Sequence, residues 1–181
     1  GFVINYQIKV TNIGGAAGFY RIKDVPDFDD DVVIDSFRVQ SNTTQGPVQL
    51  FNDVVTTPWN ISGASISLDP QLMDVWNVTV YARLVLDDNV GNNQYDACEG
   101  GNTPVPGKGL YNRAFIDLNN DDDGNDVGET SDDTCGDLPA VFRLSKTFQS
   151  ATEKADGSFD ILYRITVRNV GGSLGNYNLK D

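Results

Sequence analysis

Residues 117–129 read DLNNDDDGNDVGE, the stretch of the chain best suited to hold a metal ion. Calcium takes about six to eight hard oxygens on a tightly turned loop, spaced D-x-[DN]-x-[DN]-G and closed by a bidentate Glu. Asp117, Asn119, Asp121 and Asp123 supply the alternation, Gly124 a turn and Glu129 a closing carboxylate. The register is not that of an EF-hand: counted from Asp117, Glu129 is position 13 and position 6 is Asp122. Which carboxylates ligate is therefore left open. Carboxylates at this density repel one another without a cation, so calcium is the expected cofactor. A second run, Asp27-Phe28-Asp29-Asp30-Asp31, has alternate acids but neither the Gly nor the closing Glu. It reads as a solvated turn after Pro26.

Other chemistry is sparse. N-x-[ST] triplets at Asn42, Asn60 and Asn77 are candidate glycan acceptors. Trp76 falls on an apolar stripe and reads as core, whereas Trp59, after Pro58 in a turn, reads as more open. Cys98 and Cys135 lack C-x-x-C spacing. They are either two buried thiols or one disulfide closing a long loop. The chain has no His, two Cys and one Met, and offers no nucleophile–base arrangement. No Gly-rich phosphate cradle opens a helix. Carboxylate pairs are too common here to mark a glycosidase. The expectation is a non-enzyme.

The formal charge is -13, with a sequence pI near 4.1. Such a surface repels nucleic acid and anionic membranes and attracts divalent cations. Nine of the 26 acids lie between Asp117 and Asp137 without one Lys or Arg, which marks that segment as a solvated loop or a metal site. No apolar run approaches the roughly 20 residues that span a bilayer, so no direct membrane insertion is expected.

The elements that must position these groups are strands. Phe2, Ile4, Tyr6, Ile8 and Val10 alternate with Val3, Asn5, Gln7, Lys9 and Thr11, the period of a half-buried strand. Further strands are predicted over 18–24, 32–40, 48–51, 61–68, 75–86, 110–116, 139–148 and 159–169. In the longest, Trp76, Val78, Val80, Ala82, Leu84 and Leu86 share one face, and Asn77 lies on the other. No helical period is sustained. Many short strands with turn signals between them predict an antiparallel β-sandwich.

The two ends of the chain carry one phrase. Residues 2–24, FVINYQIKVTNIGGAAGFYRIKD, align without a gap to residues 159–181, FDILYRITVRNVGGSLGNYNLKD, at an offset of 157, with 12 identities in 23 positions. A period of this kind signals a repeat architecture. The expected boundary is near Leu138–Pro139. Residues 1–138 would then be most of one repeat lacking its first strand, and 139–181 the first strands of the following repeat.

The phrase resembles the repeat of bacterial and archaeal surface proteins known as domain of unknown function eleven. Tyr163, Ile165, Val167, Asn169, Gly171, Tyr177, Leu179 and Asp181 carry that likeness, and so do Tyr6, Ile8, Val10, Asn12, Gly14, Tyr20, Ile22 and Asp24. Residues 97–148 look like the later part of long versions of this domain. The 117–129 stretch also resembles the acidic loops of serine–aspartate-repeat adhesins, with an insertion. The likeness implies an Ig-like fold in a tandem repeat of about 157 residues, and an extracellular, cell-surface setting. In that setting Cys98 and Cys135 are expected to be bonded. The implied function is a structural subunit of a filament, sheath or stalk, its partners being neighbouring copies of itself. Phe142, Leu144, Phe148, Phe159, Ile161 and Tyr163 are expected to be buried against such a neighbour by strand addition. The alternative is an adhesin-type module gripping a glycan or protein through its loops.

Overall fold

The computed structural model describes residues 1–43, 46–52, 56–85, 97–98 and 104–181. Among these residues there is no helix, and none long and apolar enough to cross a membrane. The strands are β1 (Phe2–Thr11), β2 (Gly18–Pro26), β3 (Val32–Thr43), β4 (Gly46–Asn52), β5 (Trp59–Asn60), β6 (Ile66–Leu68), β7 (Met73–Leu84), β8 (Asn112–Asp117), β9 (Ser131–Thr134), β10 (Phe142–Glu153) and β11 (Phe159–Asn169).

All pairings are antiparallel. One sheet runs β1-β7-β3-β4. The other runs β5-β2-β8-β9, with β6 also paired to β2. Their inner faces form one core. Phe37, Val39, Trp76, Val78 and Val80 come from the first sheet, and Tyr20, Ile22, Trp59, Ile66 and Leu68 from the second. This sandwich follows from the alternation: Trp76, Val78, Val80 and Ala82 are buried, while Asn77 and Tyr81 face out. Among the described residues β10 and β11 pair only with each other, as a separate hairpin.

Several sequence expectations are revised. Trp59 is not open: it is buried in the short strand β5, its ring stacked on Phe37 at a centroid distance of 4.0 Å. Two residues are too few to show a period, so β5 left no sequence signal. β9 lies within what read as loop, because Ser131–Thr134 has no apolar alternation and is held by its partner β8. The phrase's two copies agree over β1 and β11 but part at the return strand. Residues 18–26 form β2, whereas 175–181 form no strand. β2 exists because β5, β6 and β8 pair with it, and 175–181 have no such partner among the described residues. Leu86, placed by sequence on the β7 stripe, lies outside the described residues.

A buried polar chain ties β2 to β7. The Trp76 indole N–H donates to the Tyr20 hydroxyl at 3.2 Å, and that hydroxyl donates to Asp74 Oδ2 at 2.6 Å. Tyr20→Phe would remove one hydrogen bond from the indole and one from the buried carboxylate. It should lower stability by about 1–3 kcal/mol, read from chemical unfolding. A change near zero would show that water substitutes for the hydroxyl.

Candidate functional site

The acidic loop leaves β8 at Asp117 and returns at β9. Asp117 is fully buried at the strand's end. The chain then curls through left-handed Asn120 and Asp122, a conformation that Asn and Asp tolerate best among residues with a side chain. This curl brings carboxylate oxygens of Asp117, Asp121 and Glu129 within 4.8 Å of one another. Glu129 is fixed by the Leu118 N–H (2.7 Å) on one oxygen and the Asp126 N–H (3.0 Å) on the other. The Asn119 amide donates to Asp121 Oδ2 (2.8 Å) and Asp126 Oδ2 (2.6 Å). Asp123 is turned aside and caps the Asn125 N–H at 3.1 Å. Of the five residues predicted as ligands, three converge, Asn119 braces them, and Asp123 stands apart.

Two residues were missed. Asp126 joins the cluster, and its carboxyl is pushed above the usual range by desolvation and then by the charges of Asp121, Glu129 and Asp123. Lys23, buried on β2, ion-pairs with Asp122 and lies 3.6 Å from Asp117 Oδ2. That oxygen is buried without a hydrogen-bond donor among the described residues. The loop thus holds one cation already, supplied by a strand some 94 positions earlier in the chain (117 against 23). Asp117, Asp121 and Glu129 together form a hard, multidentate oxygen set of the type that suits calcium rather than zinc.

The second acidic run is not a solvated turn. Asp29 and Asp31 are buried. Asp29 Oδ1 accepts the Asp31 N–H at 3.0 Å, while Oδ2 has no hydrogen-bond partner among the described residues. Burial pushes the Asp29 carboxyl up, and the charges of Asp30 and Asp31 add to the shift. Backbone pairing from the 105–111 segment holds the turn in place: the Asp29 N–H donates to Gly109 O and the Gly107 N–H to Asp27 O. Cys98 and Cys135 are bonded beside that segment, and the Cys98 N–H donates to Asp137 Oδ1 at 2.8 Å.

The sequons are exposed at Asn42, Asn60 and Asn77. The Asn60 amide donates to Gly63 O at 3.0 Å and Asn77 Oδ1 accepts from Gln7 at 2.8 Å. On the β10–β11 hairpin, Leu144, Phe148, Phe159 and Ile161 are each more than half exposed, and Phe142 and Tyr163 partly so. No family model, curated protein or solved structure matches this chain.

The phrase's own Tyr and Asp meet in the core. The Tyr6 hydroxyl donates to Asp24 Oδ2, and the Asn112 amide donates to Asp24 Oδ1 at 3.0 Å. Desolvation lifts the Asp24 carboxyl from 3.8 to about 7, against the opposing pull of these two hydrogen bonds. A folded-state pKa above the unfolded value means the folded chain holds the extra proton between those pH values. Asp24's contribution is then full below about pH 4 and lost as pH climbs through about 7. The stability of wild type minus that of Asp24→Asn should fall across this window and level off above it, measured by urea unfolding at stepped pH. A flat difference would reject the assignment.

Proposed function

We propose that this chain is a structural module of an extracellular filament, sheath or stalk, built from Ig-like repeats of about 157 residues that complete one another by shared strands. The observation that carries the reading is the β10–β11 hairpin. Its second strand restates the opening strand, the hairpin pairs with no other strand among the described residues, and its apolar side chains are left in water. Exposed apolar patches of this kind on a two-stranded ribbon mark an interaction surface. A head-to-tail contact whose rotation does not close extends into a fibre. The bonded cysteines and the acidic surface suit an oxidising setting outside the cell. The resemblance to surface-protein repeats points the same way.

Calcium in the Asp117–Glu129 loop is part of this proposal, with Asp117, Asp121 and Glu129 as ligands and Asn119 and Asp126 beside them. A bound ion would stiffen the β8–β9 turn and relieve the carboxylate repulsion. Calcium at a hundred times its dissociation constant should stabilise the fold by about 2.7 kcal/mol. Asp121→Asn with Glu129→Gln should erase that gain. A melting temperature indifferent to calcium and to a strong chelator would remove the ion from the account.

The assembly reading is tested by sedimentation and electron microscopy of the full chain over a range of concentrations. Association into elongated particles is expected, and Leu144→Glu with Phe148→Glu should abolish it while the sandwich still melts cooperatively. A chain that stays monomeric at every concentration would overturn the reading.

A further inference from the structure

β1 has a strand on one side and a groove on the other. Among the described residues it ends its sheet, as β9 ends the facing one. Two hollows of about 460 and 540 Å³ run between them, sharing Ile8 and Ala114 as walls. The first is also lined by Val10, Gly14, Gly18 and Tyr20. The second is lined by Tyr6, Asn112, Asp132 and Asp133.

The second copy of the phrase has a strand at the matching edge. Successive residues of a strand present their N–H groups to opposite sides. The Asn12 N–H points to Leu72 O at 3.1 Å, on the β7 side of β1. In the second copy the residue after the matching Asn169 does the opposite: the Val170 N–H points to Val141 O at 2.8 Å, on the β10 side. β10 therefore occupies the edge of β11 that corresponds to the open edge of β1.

Four details of that edge repeat between the copies, and in each the first copy lacks the partner among the described residues. Asn169 Oδ1 accepts both the Gly171 N–H (3.2 Å) and the Val141 N–H (3.1 Å), whereas Asn12 Oδ1 accepts only the matching Gly14 N–H (2.9 Å). A Cβ at Gly171 would lie 2.0 Å from Pro139 O, and one at Gly175 would lie 2.5 Å from Ala140 Cβ. At the matching Gly14 and Gly18 a Cβ would meet nothing but the Asn12 side chain. The Phe142 ring leans on Tyr177 at 5.3 Å, while the matching Tyr20 faces the first hollow. Lys146 lies over the Tyr163 ring at 4.6 Å and ion-pairs with Asp181. The matching residues are Tyr6 and Asp24, and Asp24 has no ion pair among the described residues. Beside them, Asn112 Oδ1 is buried without a donor among the described residues.

We propose that the open edge of β1 receives residues 139–157 of another copy of this chain, antiparallel, with Leu144 across from Val10, Lys146 across from Ile8 and Phe148 across from Tyr6. The register is that of β10 on β11, moved by the 157-residue offset. Phe142 then fills the first hollow. Lys146 enters the second, where its ammonium meets Asp24, Asn112 Oδ1 and the flanking Asp132 and Asp133. This inference rests on the array reading and adds the docking edge, the register and a buried charge pair.

The test grafts residues 139–157 directly ahead of Gly1, which stands where Ser158 stands in the second copy. The melting temperature should rise by roughly 5 °C or more. Amide exchange should slow at least about tenfold at Val3, Asn5, Gln7 and Lys9, whose N–H groups face the open edge, and change little at Ile4, Tyr6 and Ile8. Lys146→Met in the grafted segment should remove most of the gain, while the same change in the ungrafted chain should leave the sandwich's melting temperature unaltered. A rise without protection of those four amides, or one indifferent to Lys146→Met, would mean the segment docks elsewhere. That result overturns the register and leaves the array reading standing. No rise and no protection would overturn the inference outright. The array reading falls with it only if the unmodified chain also fails to associate.

Discussion

The sandwich is closed around a carboxylate with no exposure to water. Asp24 sits on β2, and its two oxygens are taken by Tyr6 from the facing sheet and Asn112 from β8. An unpaired buried charge costs several kcal/mol, and hydrogen bonds recover only part of that. The outcome is a carboxyl whose proton is lost only near neutrality. The tie specifies which edge of the first sheet lies over which strand of the second. It also sets an acid with no ion pair among the described residues behind Tyr6 and Asn112, which line the second hollow beside β1.

The same phrase shows how far one sequence underdetermines structure. Twelve identical positions recur in the second copy, and the first strand forms in both. Asn12 and Asn169 organise the same Gly-rich turn, each donating to a carbonyl four residues on and accepting the N–H two residues on. These contacts are local and need no partner. The return strand is another matter. Gly18–Pro26 is extended because three strands bond to it, and the matching 175–181 lacks them. Edge-to-edge hydrogen bonding is a property of two segments, so half of the motif depends on what lies beside it.

Charge follows the same rule. Read along the chain, the acidic loop has no basic residue, and its carboxylates look uncompensated. In space Lys23 reaches the loop from β2 and holds Asp117 and Asp122. The Asp27–Asp31 run reads as solvated, yet Asp29 and Asp31 are enclosed because the 105–111 segment pairs over them. A count of neighbours in sequence gives the local field only where the chain stays exposed. Both acidic runs lie against other elements.

Sequence alone determined what depends on period and on local turns. The alternation over 2–11 and 75–86 placed β1 and β7 and sorted inner residues from outer ones, since successive side chains of a strand face opposite ways. It marked the acidic loop, and it raised Cys98 and Cys135 as a pair. Tertiary structure decided what depends on partners far apart in the chain. It made two-residue β5 and all-polar β9 into strands, and put Trp59 under Phe37. Within the 117–129 loop it brought Asp117, Asp121 and Glu129 together and left Asp123 aside, and it gathered Asp29, Asp30 and Asp31 as a second group. It also left β1 open on one edge. None of these carries a pattern in one dimension, because each is a distance between residues that only folding brings together.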